Sequence, residues 1–187
     1  PVSIYASTKR SNELMAHNYR HLFQIPTTGL RLFTVYGPWG RPDMALFSFT
    51  KSILEKKPIQ IFNNGEMIRD FTYIDDVIES IFRLIRKPAR KNENFNFNNP
   101  DASSSWNPYR IFNVGNSNPV NLMDYIHEIE KSLNKKAKFN MMPMQPGDVK
   151  ETYSDTKLLS EWIDFTPNTS ISDGVKNFVD WYRKYYS

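Results

Sequence analysis

Tyr5-Ala6-Ser7-Thr8-Lys9 sets a phenol and an ammonium four positions apart. On a helix, positions i and i+4 share a face. A free phenol, with a pKa near ~10, is a poor base at neutral pH. A cation beside it favours the phenolate and draws that pKa down. Such a pair can take a proton from a sugar hydroxyl while a hydride leaves the same carbon. The same spacing arises on amphipathic helices where tyrosine packs and lysine is solvated, so the motif alone leaves both readings open. Two other constellations read as structural. His17 and His21 stand at i,i+4 without an acid to complete a metal site, and fit a helix surface. Asp75-Asp76 reads as a helix cap, so no metal is expected.

The elements that must hold Tyr5 and Lys9 follow from hydrophobic period and breakers. Residues 5–24 read as a helix stopped by Pro26. Residues 28–36 (TGLRLFTVY) read as one buried strand, and Gly37-Pro38-Trp39-Gly40 as a turn. A helix is expected over 43–57 with Leu46, Phe49, Ile53 and Leu54 inward, then a short strand over 59–62 and an extended segment over 69–74. Asp75-Asp76 open the next helix. Residues 91–109, rich in Asn, Ser and Pro, read as a surface loop whose Phe95, Phe97 and Trp106 dock on the core or on a partner. Strands at 110–114 and 138–142 alternate with helices over 121–133, from 155, and over 171–185. Alternating strands and helices mean an α/β protein.

Of the 187 residues, 40% are hydrophobic and 24% charged, which argues against wholesale disorder. No apolar run reaches the ~18–20 residues of a membrane span. The chain has no cysteine, which rules out disulfides and fits a reducing, cytoplasmic setting, and the opening residues 1–5 do not form a secretory signal. The net charge of +4 invites a nucleic-acid reading. Its densest basic run, Arg83 to Lys91, falls where a helix ends, and basic residues suit that end through the macrodipole. Nucleic acid is therefore not expected as a partner, and neither is a membrane; a mildly basic site also suits nucleotide diphosphates.

Five ordered segments carry a family resemblance: YASTK (5–9), LRLFTVYGPWGRPDMA (30–45), RDFTYIDDV (69–77), FNVGN (112–116) and PGDVKETYSDTKLL (146–159). The chain resembles extended short-chain dehydrogenase/reductases, the NAD-dependent epimerase/dehydratase family, and within it GPWGRPDMA looks most like UDP-glucuronate 4-epimerases. The resemblance implies the C-terminal part of a Rossmann-like parallel sheet with a smaller α/β substrate-binding domain. Residues 1–58 would finish the NAD-binding region, and 59–187 would be mostly substrate domain with interleaved Rossmann elements. Tyr5 would be the catalytic acid/base and Lys9 the ribose ligand, both contacting NAD. A UDP-sugar would be inverted at C4 through a transient 4-keto intermediate.

The resemblance also implies a substrate set. Arg41 would hold the sugar carboxylate, where its alternative is a surface-loop arginine; a guanidinium fork suits two oxygens. Arg69 would pair with the diphosphate, its alternative being a salt bridge to Asp70 or Glu66. Asp148 would accept from the uridine ribose, or merely make an Asx turn after Gly147. Phe62 would stack on uracil with Gln60 beside it, or end a strand in the core. Thr34 stands where relatives often carry an asparagine that contacts the phosphates. Gln145 replaces an arginine found in some relatives, which leaves Arg69 more of the diphosphate charge.

Gly37-x-x-Gly40 is not a dinucleotide loop: no helix opens there and no further glycine follows at the tight turn. No other Gly-rich phosphate-binding turn occurs in the chain. The expectation is therefore the C-terminal portion of a longer enzyme, with a homodimer or a complementing N-terminal half as partner. An inactive remnant, a sugar-nucleotide-binding module and a sibling dehydratase or decarboxylase are the alternatives.

Overall fold

A computed structural model describes residues 3–186; Pro1 and Val2, read above as part of a chain start without a secretory signal, lie outside the described residues. Ser3 begins the first helix, α1 (Ile4–Phe23), as its N-cap: its Oγ accepts from the Ala6 amide at 3.1 Å. Gln24 closes α1 in the left-handed region, its amide donating to Arg20 O.

The stretch expected as one strand is two. β1 (Thr27–Leu32) and β2 (Thr34–Tyr36) part at Phe33 because each has its own partner. β1 runs parallel to β6 (Tyr109–Val114), with Thr28 beside Arg110 and Leu32 beside Val114. β2 runs parallel to β5 (Phe71–Tyr73). The chain thus crosses from one strand pair to another, which a continuous hydrophobic run cannot reveal.

Between them come α2 (Ala45–Leu54), β3 (Pro58–Ile61), a 3-10 turn (Phe62–Gly65) and β4 (Ile68–Arg69). β3 pairs in parallel with β8 (Lys138–Met141), and β4 pairs antiparallel with β7 (Val120–Asn121). Three parallel pairs and interposed helices make this the expected α/β fold of Rossmann type. The remaining helices are α3 (Ile74–Arg86), α4 (Leu122–Leu133), α5 (Lys157–Ile163) and α6 (Ile171–Tyr186). None among the described residues is long and apolar enough to cross a membrane.

Two cores result. The larger joins α2, α4 and α6 to β2, β3 and β5; in it Phe71 stacks on Tyr125 with ring centroids 4.0 Å apart. Full burial of such a side chain stabilises by about 1.5–3 kcal/mol. Leu46, Phe47 and Ile53 of α2 are spent in this core. The smaller core sets Val77 and Leu84 of α3 against Phe112 and Val114 of β6 and Leu159 and Ile163 of α5.

The expectation that Asp75-Asp76 cap α3 is corrected. The N-cap position is Tyr73, and both aspartates lie in the first turn. The Asp76 Oδ2 reaches across instead to accept from the backbone amides of Asn168 and Thr169, at 3.2 and 2.9 Å. The aspartate pins a distant loop, where the local sequence suggested only a local partner. Asn121 does precede α4, but makes no side-chain cap hydrogen bond. In the 91–109 loop, Phe95, Phe97 and Trp106 cluster on one another, and His17 of α1 packs edge-on to Trp106.

Candidate functional site

α1 presents Tyr5 and Lys9 on one face: the Lys9 Nζ lies 5.3 Å from the Tyr5 ring centroid. Tyr5 is 71% exposed, so neither side chain is sealed beneath packing. The two line an open cleft of about 560 Å³ with Asn12, Gly29 and Leu32 of β1 and Tyr109 of β6, between α1 and the β1–β6 pair. Tyr5 also lines a second cleft of about 560 Å³, whose other walls include Thr34, Gly37, Arg41 and Phe71. The tyrosine therefore stands between two concavities, one shared with the lysine and one with Thr34 and Arg41.

The turn that carries Arg41 is built for sharp reversal. Gly40 N donates to Gly37 O at 3.2 Å, and Gly37 has φ +139 with no room for a Cβ, which would meet Ile74 Cγ2 at 2.6 Å. Trp39 occupies the left-handed region and leans on Tyr185 of α6, ring centroids 4.6 Å apart. No helix opens at Gly40, so this is the turn expected from the sequence. Arg41 itself is held by Asp43 in a two-pronged pair: Nε to Oδ1 at 3.1 Å and Nη2 to Oδ2 at 2.7 Å. That hydrogen-bonded pairing holds the Asp43 carboxyl below its ordinary range and raises the guanidinium further.

Tyr36, one residue before the turn, also borders the second cleft but belongs to the core. Its hydroxyl donates to Ser170 O at 3.3 Å, and burial pushes its pKa well above the ordinary phenol range. It is thus kept protonated.

The remaining sequence-expected residues sit elsewhere. Arg69 and Asp148 meet each other, with Nη2 to Oδ1 at 2.9 Å. Arg69 also donates from Nη1 to the carbonyls of Ile68 and Lys150. The salt bridge anticipated with Asp70 or Glu66 does not form; Glu66 faces Lys150 instead, at 3.8 Å. Asp148 closes a turn from Gln145 in which Gly147 takes φ +80. Its Oδ1 accepts from the next amide, Val149, rather than making an Asx turn. Gln60 accepts from Asn140 across the β3–β8 pair at 2.9 Å. Phe62 is half-buried at the start of the 3-10 turn. None of Gln60, Phe62, Arg69 and Asp148 lines either cleft beside Tyr5.

The residue that sequence reasoning missed is Asp70. It is fully buried, and its carboxylate accepts from the amides of Asn116, Ser117 and Ser154 at 3.0–3.1 Å and from the Ser154 hydroxyl. Gly115 makes room for this hub, because a Cβ there would stand 2.1 Å from Ser154 Oγ. The signal available was its position beside Arg69, and it was spent on an arginine partner that the fold does not use. His17, set aside as a metal ligand, bonds Ser105 Oγ through Nε2 at 3.0 Å. Among the described residues no cluster of His, Asp and Glu is arranged to hold a metal.

Residues 1–98, just over half of the chain, match the family described as NAD dependent epimerase/dehydratase. The chain belongs to that family. Protein CapI of Staphylococcus aureus is 56% identical over 186 residues, covering 100% of this chain and 56% of that protein. A probable UDP-glucuronate 4-epimerase of Rhizobium meliloti is 48% identical, covering 100% of this chain and 55% of its own length. A solved structure, the UDP-glucuronic acid 4-epimerase of Bacillus cereus in complex with UDP-glucuronic acid and NAD, superposes with a TM-score of 0.83 at 35% identity. It is covered to 54%, and this chain to 100%. The chain thus spans about half the length of the curated relatives it matches.

Proposed function

We propose that this chain carries the acid/base and sugar-reading part of a UDP-glucuronate 4-epimerase. The observation that supports it best is the position of Tyr5, between a cleft shared with Lys9 and a cleft shared with Thr34 and Arg41. A proton donor-acceptor and a carboxylate reader on one concavity are what inversion of a carboxylated sugar needs.

The residues present fit one end of NAD. Tyr5 and Lys9 are exposed side by side over the β1–β6 pair and would hold the nicotinamide ribose. No Gly-rich turn in the chain offers a pyrophosphate cradle. When bound, NAD supplies hydride acceptance at C4 of the sugar and its return. The chain's own residues supply the rest. The Tyr5 oxygen, on the helix face it shares with Lys9, would accept the proton of the C4 hydroxyl and return it once the sugar has turned over. Arg41 exchanges Asp43 for the sugar carboxylate and holds it through the 4-keto stage, which disfavours decarboxylation. Arg69 and Asp148, already paired, would take the diphosphate and the uridine ribose, with Phe62 and Gln60 nearer the base.

Residues 1–58 are then the close of a cofactor region and 59–187 mostly a substrate region, working in a reducing cytoplasm. Leu14, Met15 and Leu22 leave an exposed apolar side on α1. In this reading it is covered by a second copy or by polypeptide equivalent to the rest of the relatives' length.

The test is epimerisation of UDP-glucuronate with NAD, the N-terminal half of a full-length relative being supplied in trans. Tyr5→Phe should lower the rate by about 10²–10⁴-fold without weakening UDP binding in a calorimeter. Undiminished turnover in that variant removes Tyr5 from the chemistry. Arg41→Ala should erase the preference for UDP-glucuronate over UDP-glucose; an unchanged preference removes Arg41 from sugar recognition.

A further inference from the structure

A third cleft, of about 360 Å³, opens where Arg110 and Phe112 of β6 meet Trp162 of α5. Arg110 and Phe112 line it, whereas Tyr109 and Gly29 line the Lys9 cleft and Ile111 borders both, so the two clefts lie on opposite faces of the β1–β6 pair. Lys87, Arg90, Lys91 and Arg110 surround this cleft, with Glu161 as its only acid.

The helix dipole accounts for only part of that charge. Arg83 and Arg86 lie in the last turn of α3 and have partners there: Arg83 bonds Glu79 and the Asp164 carbonyl, and Arg86 lies over the Phe82 ring. Arg90 and Lys91 lie beyond the helix, and Arg110 comes from a separate strand. Lys91 is matched by Glu93 at 3.0 Å, and Glu161 faces Lys157 at 3.9 Å. Among the described residues Lys87, Arg90 and Arg110 have no ion pair within 4 Å, although the charge of Arg110 helps to hold the Asp101 carboxyl below its usual range. Trp162 organises two of them: the Arg110 guanidinium lies 5.3 Å and the Lys87 Nζ 5.6 Å from its ring centroid, while its own Nε1 donates to the Lys87 carbonyl. The Arg110 Nε is buried without a hydrogen-bond partner. Buried polar groups are nearly always paired, so such a donor in the wall of a cationic cleft asks for an acceptor.

We propose that this cleft binds a phosphate-type oxyanion, free or as the terminal group of a small ester. Three unpaired cations match a doubly charged tetrahedral anion, and guanidinium N–H groups give it directed hydrogen bonds. The volume leaves room beside the phosphate for a small organic body. The site is distinct from the clefts that Tyr5 lines and does not depend on the epimerase reading.

The test titrates the full 187-residue chain with inorganic phosphate and, separately, glucose 1-phosphate, at low ionic strength against matched chloride. The readouts are heat and the indole N–H resonance of Trp162, assigned with Trp162→Phe. Saturable binding that shifts the Trp162 signal is expected. The exposed double variant Arg90→Gln/Lys91→Gln should weaken it by about tenfold, whereas Arg69→Gln should leave it unchanged. Tighter binding of the ester than of phosphate identifies the ester as the ligand type, and the reverse order the free ion. Binding that survives the double variant, that is lost with Arg69→Gln, or that appears only with an oligonucleotide overturns the proposal, as does the absence of any binding.

Discussion

Asp70 and Asp43 are two carboxylates beside arginines of the candidate substrate site, and the fold treats them in opposite ways. Asp70 is buried and saturated by four donors from two loops, residues 116–117 and Ser154. Asp43 lies on an exposed turn and has one guanidinium for a partner. The neighbouring arginines follow suit. Arg69 is sheltered, bonded to two carbonyls and Asp148, while Arg41 can leave Asp43 at little cost because exposed ion pairs are weak. Removing a buried acceptor strands its donors, and removing an exposed one returns its partner to water. Geometry is therefore built in at Arg69 and exchangeable at Arg41.

That contrast can be broken at its strong end first. Asp70→Ala should cost about 3 kcal/mol or more in urea unfolding, because the buried Ser154 amide and hydroxyl and two part-buried amides lose their acceptor. A loss below that of an ordinary surface change would make the hub ornamental. Next, Arg69→Gln should weaken UDP binding by about tenfold or more, since hydrogen bonds to a charged group are being removed, and calorimetry reads this directly.

Glu13 is an intermediate case. It joins α1 to β1 through Arg31, with bonds of 2.6 and 2.9 Å, and also pairs with Arg10. The Arg31 hydrogen bond holds its carboxyl below the usual value of 4.5. A depressed folded pKa means stability that is present above 4.5 and lost as pH falls through the lower folded value. Glu13→Gln should thus cost about 1 kcal/mol at pH 7 and flatten the acid limb of the stability profile. An unaltered acid limb would show that the pair contributes nothing to docking α1.

The smallest effect sharpens the comparison most. Asp43→Asn should leave stability unchanged and tighten binding of UDP-glucuronate by about two- to fivefold, while UDP itself binds as before. Weaker binding would mean that Asp43 orients Arg41 rather than competing for it.

The buried hub shows why part of the site was hidden in the sequence. Arg69 and Asp148 were both singled out, but their meeting across 79 residues is a product of the β4 edge and the turn at Gly147. Asp70 sits next to Arg69 in the chain, in the step between β4 and β5, and turns inward to the amides of Asn116, Ser117 and Ser154. The α1 stripe was legible as helical period but not as exposed: its one buried residue is Arg20, whose Nε donates to the Pro108 carbonyl. In α4 the same kind of period marks a face that is truly inside, with Tyr125, Ile126, Ile129 and Leu133 buried.

Local chemistry alone determined the α/β alternation, the helix carrying Tyr5 and Lys9 on one face, and the turn at Gly37-Gly40, because period, capping and glycine conformation act over a few residues. Only the tertiary structure decided that residues 27–36 serve two different strands, that Asp76 and Asp70 tie remote loops, and that Arg41 rests on Asp43. Those outcomes depend on which distant donors and acceptors the folded backbone brings within about 3 Å, and hydrogen bonds at that range carry no mark in the linear order of residues.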